Sequence, residues 1–371
     1  MAFGKRNEVK IDPLRYNICI LGEAKIGKTS TVKEFVEKLG GEDSYIFLEM
    51  AGEAGADAID GIVYEDVDNF EYLTEIIEDI EDNKTTEYPN LRVVVIDTYD
   101  GLIKITEQEA IRLWNKAHPD KKADTIDASW NGFQKGQSRV FDMMFDIITR
   151  LRKVGVATIV IGHVKTRDQL DVASNTSFST LTSDVEKIYF NLLKKKMHFL
   201  GLAYYDRTII TEKTGRKNAV TKKDITVNKI VEESRKIKWR DDNYALDSGC
   251  RFAEIEPEIP LDADAMIKSI TDAIIAEASK NKKSIDQLRK EQDAERAKRE
   301  VEIAKEEVER ASKKELDAII TQIKEYFVQK KDAKELESLK PIARVAKELG
   351  YDSPIAVDNI EDAKKILEMC V

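Results

Sequence analysis

The chain has 371 residues, of which 42% are hydrophobic and 35% are charged, and its formal net charge is −10. This length accommodates one sizeable domain and additional segments, because single domains commonly have roughly 100–200 residues. Three widely spaced cysteines exclude a disulfide framework and a cysteine-based metal site, which favours a reducing compartment. No apolar run approaches the roughly 18–20 residues of a membrane helix, so we expect no membrane partner.

The charges are unevenly distributed. Between Glu42 and Asp82 there are 15 Asp or Glu residues and no Lys or Arg, whereas 139–240 contains 21 Lys or Arg and 11 Asp or Glu. The overall acidity argues against a nucleic-acid partner, because phosphate binding depends on Lys and Arg. The basic stretch argues the other way, since a local excess of cations indicates an anionic partner. A merely solvated surface is the alternative.

Short apolar segments alternate with amphipathic ones in the first part of the chain. The predicted strands are 16–21, 45–48, 92–96 and 157–162, and the predicted helices are 30–39, 70–80 and 140–154. Nearly continuous Val and Ile runs separated by helices are typical of a parallel sheet covered on both faces. We therefore predict an α/β fold with a mainly parallel sheet. The segments 202–205, 208–212 and 225–227 predict antiparallel strands at one edge of it.

The pattern changes after Pro257 and Pro260. From Ala263 to about Phe327 the sequence predicts a long helix, and 22 of the 36 residues in 280–315 are charged. A heptad seam of Ala and Val within it favours either a weak coiled coil or a single charge-stabilised helix. Two short helices, 341–349 and 359–369, end the chain. The predicted organisation is an α/β domain at 1–260, a charged helix or weak coiled coil at 261–315 and a small helical C-terminal module at 316–371.

The octapeptide GEAKIGKT, which begins at Gly22, matches the phosphate-binding P-loop pattern G-x-x-x-x-G-K-[ST]. It lies between a predicted strand and a predicted helix, which is the context that the motif requires. Its glycines let successive N–H groups converge on one point, and the helix N-terminus adds a positive dipole end. Lys28 then contacts the β- and γ-phosphates, and the Thr29 hydroxyl is a Mg²⁺ ligand. ATP and Mg²⁺ are the predicted cofactors, held by Gly22, Glu23, Ala24, Lys25, Ile26, Gly27, Lys28, Thr29 and Ser30.

Polar residues at strand ends complete the predicted site. Asp97 ends the apolar strand RVVVID and is predicted to share the metal shell with Thr29. A catalytic base that orients the attacking water is expected near another strand end, and Glu49 and Glu53 have the same parity along an extended chain. Glu49 is the preferred candidate and Glu53 is the second. Either glutamate is otherwise part of the acidic surface. His163 follows the strand ATIVIG, where a polar side chain can sense the γ-phosphate.

With these residues in place, the chain resembles the RecA-like ATPases, and more closely the phage-encoded AAA-domain group that includes the Sak-type single-strand annealing recombinases. The resemblance rests on GEAKIGKTS, the end of YIFLE, RVVVIDTYD, FDIITRLRKVG and VIGHVKTRD, and it covers about 16–260. It implies a RecA-like P-loop NTPase core. RecA-like proteins place the catalytic Glu just past the second strand, where this chain has Ala51 between Glu49 and Glu53, so the base and full hydrolytic competence stay open.

The resemblance also implies partners. It implies that 165–184, which follows His163, is a mobile loop that faces DNA. Cations with an aromatic residue suit single-stranded DNA, and an ordinary surface loop is the alternative. A second group of cations lies at positions that resemble those from which neighbouring subunits of a ring or filament insert cations toward ATP. These cations are equally suited to binding the DNA backbone. The residues are Lys165, Arg167 and Phe178 in the loop, and Lys213, Arg216 and Lys217 in the second group.

These expectations combine into one leading function and two alternatives. The leading one is an ATP-dependent, homo-oligomeric phage protein that acts on single-stranded DNA in recombination or replication, in the host cytoplasm. The first alternative is a replication factor or helicase loader whose C-terminal helices dock a single-strand-binding or replication protein. The second is a nucleotide-gated assembly protein with little hydrolysis. ATPase activity is therefore an expectation of the leading function and not of every alternative.

Overall fold

The structure, a computed structural model, describes 7–171, 176–217, 224–241, 246–280, 283–333 and 335–370, with backbone only at 169–171, 176, 178, 209, 213–217, 224–228 and 336. The chain divides into two compact units. The first comprises Met1–Ile80 and Tyr88–Glu295, and the second comprises Glu81–Glu87 and Arg296–Val371. No helix within the described ranges is long and apolar enough to cross a membrane.

A nine-stranded sheet, counted over the described residues, forms the centre of the first unit. Its order is β11-β9-β8-β1-β5-β4-β2-β3, with β10 also paired to β8, and β6 and β7 form a separate hairpin. Pairs from β8 to β3 are parallel, while β9, β10 and β11 pair antiparallel. The strands are β1 (Ile18–Gly22), β2 (Tyr45–Met50), β3 (Tyr64–Val67), β4 (Val93–Asp97), β5 (Ala157–Gly162), β6 (Val164–Asp171), β7 (Thr176–Ser183), β8 (Phe199–Lys217), β9 (Asp224–Lys238), β10 (Gly249–Cys250) and β11 (Glu258–Pro260).

Helices cover both faces of this sheet, as the alternation of β1 shows. Cys19 and Leu21 join an apolar core with α2, α3, α4 and α5, whereas Ile18 and Ile20 join a second core with α1 and α6. The predicted α/β fold with a mainly parallel sheet and antiparallel edge strands is therefore confirmed. The helices are α1 (Lys28–Gly40), α2 (Phe70–Asp82), α3 (Tyr99–Ala117), α4 (Lys135–Lys153), α5 (Lys187–Lys196), α6 (Ala263–Ala278), α7 (Ile285–Asp332), α8 (Leu339–Glu348) and α9 (Ile360–Glu368).

Two predicted elements differ from the observed ones. The segments 202–205 and 208–212 belong to one strand, β8, whose first residues pair parallel with β1. The predicted continuous helix after Ala263 is two helices, because Ser284 starts α7 with a capping box. The Gln287 amide N–H donates to the Ser284 hydroxyl at 3.3 Å, and the Ser284 N–H donates to the Gln287 side chain at 3.2 Å.

The second unit has its own small core, which includes Ile323 of α7, Ile342 of α8 and Ile366 of α9. The Asn359 side chain accepts a hydrogen bond from the Glu361 N–H at 2.9 Å and so caps α9. The limits predicted from the sequence, 260 and 315, stay predictions about how the chain is divided into domains. In the structure, α6 packs into the core of the first unit.

Candidate active site

The P-loop motif connects the end of β1 to the start of α1. Gly27 precedes the helix with φ of 105°, a conformation that side chains disfavour. Gly22 lies against β8, where an added Cβ would come within 3.0 Å of the Ala203 Cβ. One glycine is therefore required by backbone conformation and the other by close packing. The α1 N-terminus places its first N–H groups and its positive dipole end at this loop.

Lys28 lies inside the loop and is 6% exposed. Its Nζ donates hydrogen bonds to the carbonyl oxygens of Gly22 at 3.0 Å and Glu23 at 2.9 Å. Burial lowers the pKa of Lys28, and the nearby carboxylates of Asp97 and Asp100 oppose that shift. These carboxylates favour the ammonium form, which is the form that contacts phosphate oxygens.

Thr29 and Asp97 meet beside the loop. The Thr29 hydroxyl donates a 2.7 Å hydrogen bond to Oδ2 of Asp97, which is 4% exposed. Burial raises the pKa of Asp97, while the bond from Thr29 and the charge of Lys28 oppose the shift. A hydroxyl and a carboxylate are the hard oxygen donors that Mg²⁺ prefers. The two predicted metal-shell residues are therefore brought together, and their donor set fits this ion.

Glu49 is adjacent to Asp97 across the sheet. The two residues are in register between β2 and β4, and Glu49 is 2% exposed. Its Oε1 accepts a 2.5 Å hydrogen bond from the Ala56 N–H. Burial raises the pKa of Glu49, and the bond from Ala56 opposes this. A Cβ added at Gly55 would lie 3.5 Å from Glu49 Oε1 and 3.7 Å from Thr29 Oγ1, so both atoms face the same backbone position.

Glu53 lies at the site because of a turn after β2, and not because it continues the strand as predicted. β2 ends at Met50, and the chain turns at Ala51 and Gly52, which have φ of 59° and 82°. Glu53 therefore does not lie on an extended continuation of β2, and the predicted shared parity with Glu49 is wrong. The turn nevertheless brings Glu53 to the strand ends, where its Oε1 accepts a 3.4 Å hydrogen bond from the Thr98 hydroxyl.

Glu53, Asp100 and His163 form a cluster in which one ligand atom from each lies within 4.8 Å of the others. His163 Nδ1 lies 3.4 Å from Asp100 Oδ2. This contact raises the pKa of His163, although burial opposes the shift. Burial alone would raise the pKa of Asp100, but bonds with His163 and Thr98 outweigh it and hold that pKa below its ordinary value. The predicted sensor is thus paired with a carboxylate.

The hairpin that follows His163 replaces the predicted loop 165–184 with β6 and β7. Lys165 donates to the main-chain oxygen of Asp184, and Arg167 donates to that of Val185 at 2.5 Å. Both cations therefore bind the chain just after the hairpin. The side chain of Phe178 and those of Lys213, Arg216 and Lys217 lie outside what the structure describes.

Three residues near the loop were not singled out from the sequence. Asp100, in the first turn of α3, pairs with His163, and the charges of Asp100 and Asp184 act on Lys28. Burial raises the pKa of Asp184. Arg235 of β9 donates to the main-chain oxygen of Ile26. The sequence predicts Asp100 to be a turn or helix-start residue, and it does lie in the first turn of α3, whereas the position of Arg235 depends on the pairing of β9.

The strand–loop–helix arrangement, with Lys28 inside the loop and Thr29 bonded to Asp97, defines a P-loop nucleotide-binding domain. Comparison with known protein families agrees, since the family described as AAA domain matches residues 14–228, more than half of the chain. The chain therefore belongs to this family of AAA-type P-loop ATPases. No curated protein matches the chain.

Proposed function

We propose that the chain binds ATP with Mg²⁺ and hydrolyses its terminal phosphoanhydride bond. The observation that carries the proposal is the 2.7 Å hydrogen bond from Thr29 to Asp97, beside a P-loop that contains Lys28. Thr29 and Asp97 would hold Mg²⁺, which when bound neutralises charge on the β- and γ-phosphates. The loop N–H groups and Lys28 bind the phosphates, with Gly22–Ser30 as the proposed nucleotide-binding residues.

The catalytic base is proposed to be Glu53, with Glu49 as the alternative. Glu53 is partly exposed and stands in the cluster with Asp100 and His163, where a water molecule can reach it. Glu49 is buried and its carboxylate is held by the Ala56 N–H, an arrangement better suited to shaping the turn behind Thr29. A base must be within reach of the water whose proton it accepts. His163 is proposed as the γ-phosphate sensor that acts on β6.

The ATPase proposal is tested by measuring phosphate release from ATP with and without Mg²⁺. We expect Mg²⁺-dependent turnover by the wild-type chain and its loss in Lys28→Ala. Binding of ATP without turnover would favour the nucleotide-gated assembly protein, the second candidate. Its supporting observation is Ala51, which stands where a simple overlay on RecA-like proteins puts the catalytic Glu.

We further propose that the protein is a phage Sak-type member of the family and acts on single-stranded DNA as a homo-oligomeric ring or filament. Support comes from the basic stretch 139–240 and from the hairpin β6–β7, which begins directly after His163 and carries Lys165 and Arg167. Release of these cations from Asp184 and Val185 would make them available to DNA phosphates. Phe178, Lys213, Arg216 and Lys217 remain proposed DNA-binding or trans-acting residues.

Fluorescence anisotropy with labelled oligo-dT, in the presence and absence of ATP, tests the DNA proposal. We expect binding that depends on nucleotide, and no binding at low salt in either state would refute it. A helicase loader or replication factor is the remaining candidate, supported by the separate small core around Ile323, Ile342 and Ile366. In that case the full chain would bind a single-strand-binding protein, and substitutions on α8 and α9 would abolish this.

A further inference from the structure

Arg235 connects the edge of the sheet to the phosphate-binding loop. β9 is separated from β1 by β8, yet the Arg235 Nη1 donates a 3.1 Å hydrogen bond to the carbonyl oxygen of Ile26. Ile26 is the residue before Gly27 in the P-loop motif. Arg235 lies beyond residues 14–228, so the family match assigns it no role.

The pairing of β9 explains why this arginine faces the loop. Ile237, two residues further along β9, is fully buried in the core that includes Phe35 of α1. Side chains at alternate strand positions lie on the same face, so Arg235 also lies on the face covered by α1. Arg235 pairs with Tyr205, whose neighbour two residues earlier on β8, Ala203, packs against Gly22. The register thus places the guanidinium beside the loop.

A hydrogen bond to the Ile26 carbonyl oxygen also fixes the orientation of the Ile26–Gly27 peptide group. The Ile26 C=O and the Gly27 N–H belong to the same planar trans peptide, in which they point in opposite directions. Arg235 binds the carbonyl from the side of the sheet edge. The Gly27 N–H is thereby oriented away from Arg235, and the guanidinium charge polarises the peptide so that this N–H becomes a better donor.

Gly27 is fitted to this arrangement. A Cβ added at Gly27 would lie 2.8 Å from Arg235 Nη1, which is closer than carbon and nitrogen approach without a bond. The φ of 105° requires glycine at this position, and a second reason favours it, because a Cβ would displace the guanidinium at the end of the flexible Arg235 side chain. The second reason links a residue of the phosphate-binding loop to a residue more than 200 positions later in the chain.

We propose that Arg235 is a positioning residue of the nucleotide-binding site: it holds the Ile26–Gly27 peptide so that the Gly27 N–H faces the bound phosphates. This inference rests on the proposed ATP binding. Because the Gly27 N–H would bind phosphate equally in the ground state and in the transition state, Arg235 contributes uniform binding and leaves the hydrolytic step to other residues. Its loss therefore raises the KM for ATP and leaves kcat nearly unchanged.

The test compares Arg235→Met with Arg235→Lys and with a matched control, Arg207→Met. Methionine keeps the apolar stem and removes the donors, while lysine restores one charged donor. Arg207 is on the adjacent strand and pairs with Glu233 at 2.7 Å. Calorimetry with Mg²⁺-ATP and Mg²⁺-ADP gives the affinities, steady-state phosphate release gives KM and kcat, and thermal unfolding without nucleotide checks the fold.

We expect Arg235→Met to weaken ATP and ADP binding about tenfold, the effect of losing one hydrogen bond from a charged donor. Arg235→Lys should recover part of the affinity, and Arg207→Met should bind as the wild type does. Equal affinities for wild type and Arg235→Met, or an equal loss in Arg207→Met, would overturn this inference while ATP binding stands. If the wild-type chain binds no ATP, the proposed function itself is refuted.

Discussion

Thr29 at the start of α1 donates a 2.7 Å hydrogen bond to Asp97 at the end of β4, although 68 positions separate them in the chain. Asp97 is also in register with Glu49 of β2, so three polar residues from three elements meet at one edge of the sheet. Parallel strands make this meeting possible, because their carboxyl ends lie at the same edge.

Asp97→Asn tests the proposed metal shell. The amide oxygen can still accept the bond from Thr29, so the fold is retained while the negative charge is lost. We expect Mg²⁺-dependent phosphate release to fall about a hundredfold or more, in line with removal of one electrostatic group from a transition-state site. Asp43→Asn is the control, because Asp43 is exposed and lies before the start of β2, at the opposite end of that strand from Glu49. A rate in Asp97→Asn equal to that of the control would contradict the assignment.

Glu53→Gln distinguishes the two candidate bases. We expect kcat for ATP hydrolysis to fall about 10²–10⁴-fold, which is the usual contribution of a general base, while ATP affinity is kept. Glu49→Gln should cost less, since the glutamine oxygen can still accept from the Ala56 N–H. Single-turnover phosphate release measures both variants. A large loss confined to Glu49→Gln would assign the base to Glu49 instead.

The His163–Asp100 pair predicts a pH-dependent contribution to stability. The contact raises the pKa of His163 and lowers that of Asp100. The stabilisation that His163 contributes is therefore fully present below the ordinary histidine pKa of about 6.5. It is lost as pH rises through the raised pKa of His163. The stabilisation that Asp100 contributes is present above the ordinary aspartate pKa of about 3.9. It is lost as pH falls through the lowered pKa of Asp100.

We accordingly expect His163→Gln to lower the free energy of unfolding by up to about 1 kcal/mol at about pH 5, and by nearly nothing at about pH 9. Urea titrations at the two pH values measure the difference. The double variant His163→Gln/Asp100→Asn should be non-additive at the lower pH. An equal loss at both pH values would show that the histidine contributes packing alone.

Salt dependence tests whether Lys165 and Arg167 contact DNA. For single strands, each neutralised phosphate contributes about 0.7 to the slope of log K against log salt concentration. Lys165→Ala/Arg167→Ala should therefore reduce that slope by about 1.4 in anisotropy titrations with oligo-dT. Arg344→Ala/Lys347→Ala on α8 is a charge-matched control. An unchanged slope in the hairpin variant would remove both residues from the DNA surface.

Gly101→Ala tests the packing that positions α3. A Cβ at Gly101 would lie 2.6 Å from the main-chain oxygen of Met50, so α3 or β2 must shift. We expect a loss of about 1–3 kcal/mol in the free energy of unfolding. Gly249→Ala, where an added Cβ meets nothing within 4 Å, should be nearly neutral. Chemical denaturation of both variants gives the comparison.

The strands and helices of the core were predictable because their residues are buried in a regular pattern. Val93, Val95 and their neighbours form a continuous apolar run that only a strand covered on both faces can bury. The P-loop was equally visible, since its spacing is fixed by the phosphate chemistry. The full length of β8 was not predictable from the sequence, because the polar residues in the second half of the strand show no periodic pattern of buried side chains.

Site residues that directly follow a strand were predictable from the sequence. Those whose position depends on a turn or on strand register were not. Asp97 and His163 directly follow apolar runs. Glu53 arrives through a turn at Ala51, which has φ of 59°, a conformation that sequence reasoning does not assign to alanine. Arg235 depends on the pairing of β8 with β9, which no local pattern specifies.

The length of β8 has a mechanical consequence. Ala203 is anchored beside Gly22, while the strand continues to Lys217 with β9 as its main partner. At about 3.3 Å per residue, the strand extends up to about 46 Å beyond the phosphate-binding loop, so a tilt of about 5° at Ala203 displaces its far end by about 4 Å. A small rotation of the paired strands β8 and β9 beside Gly22, the first glycine of the P-loop, therefore becomes a larger displacement at Lys217.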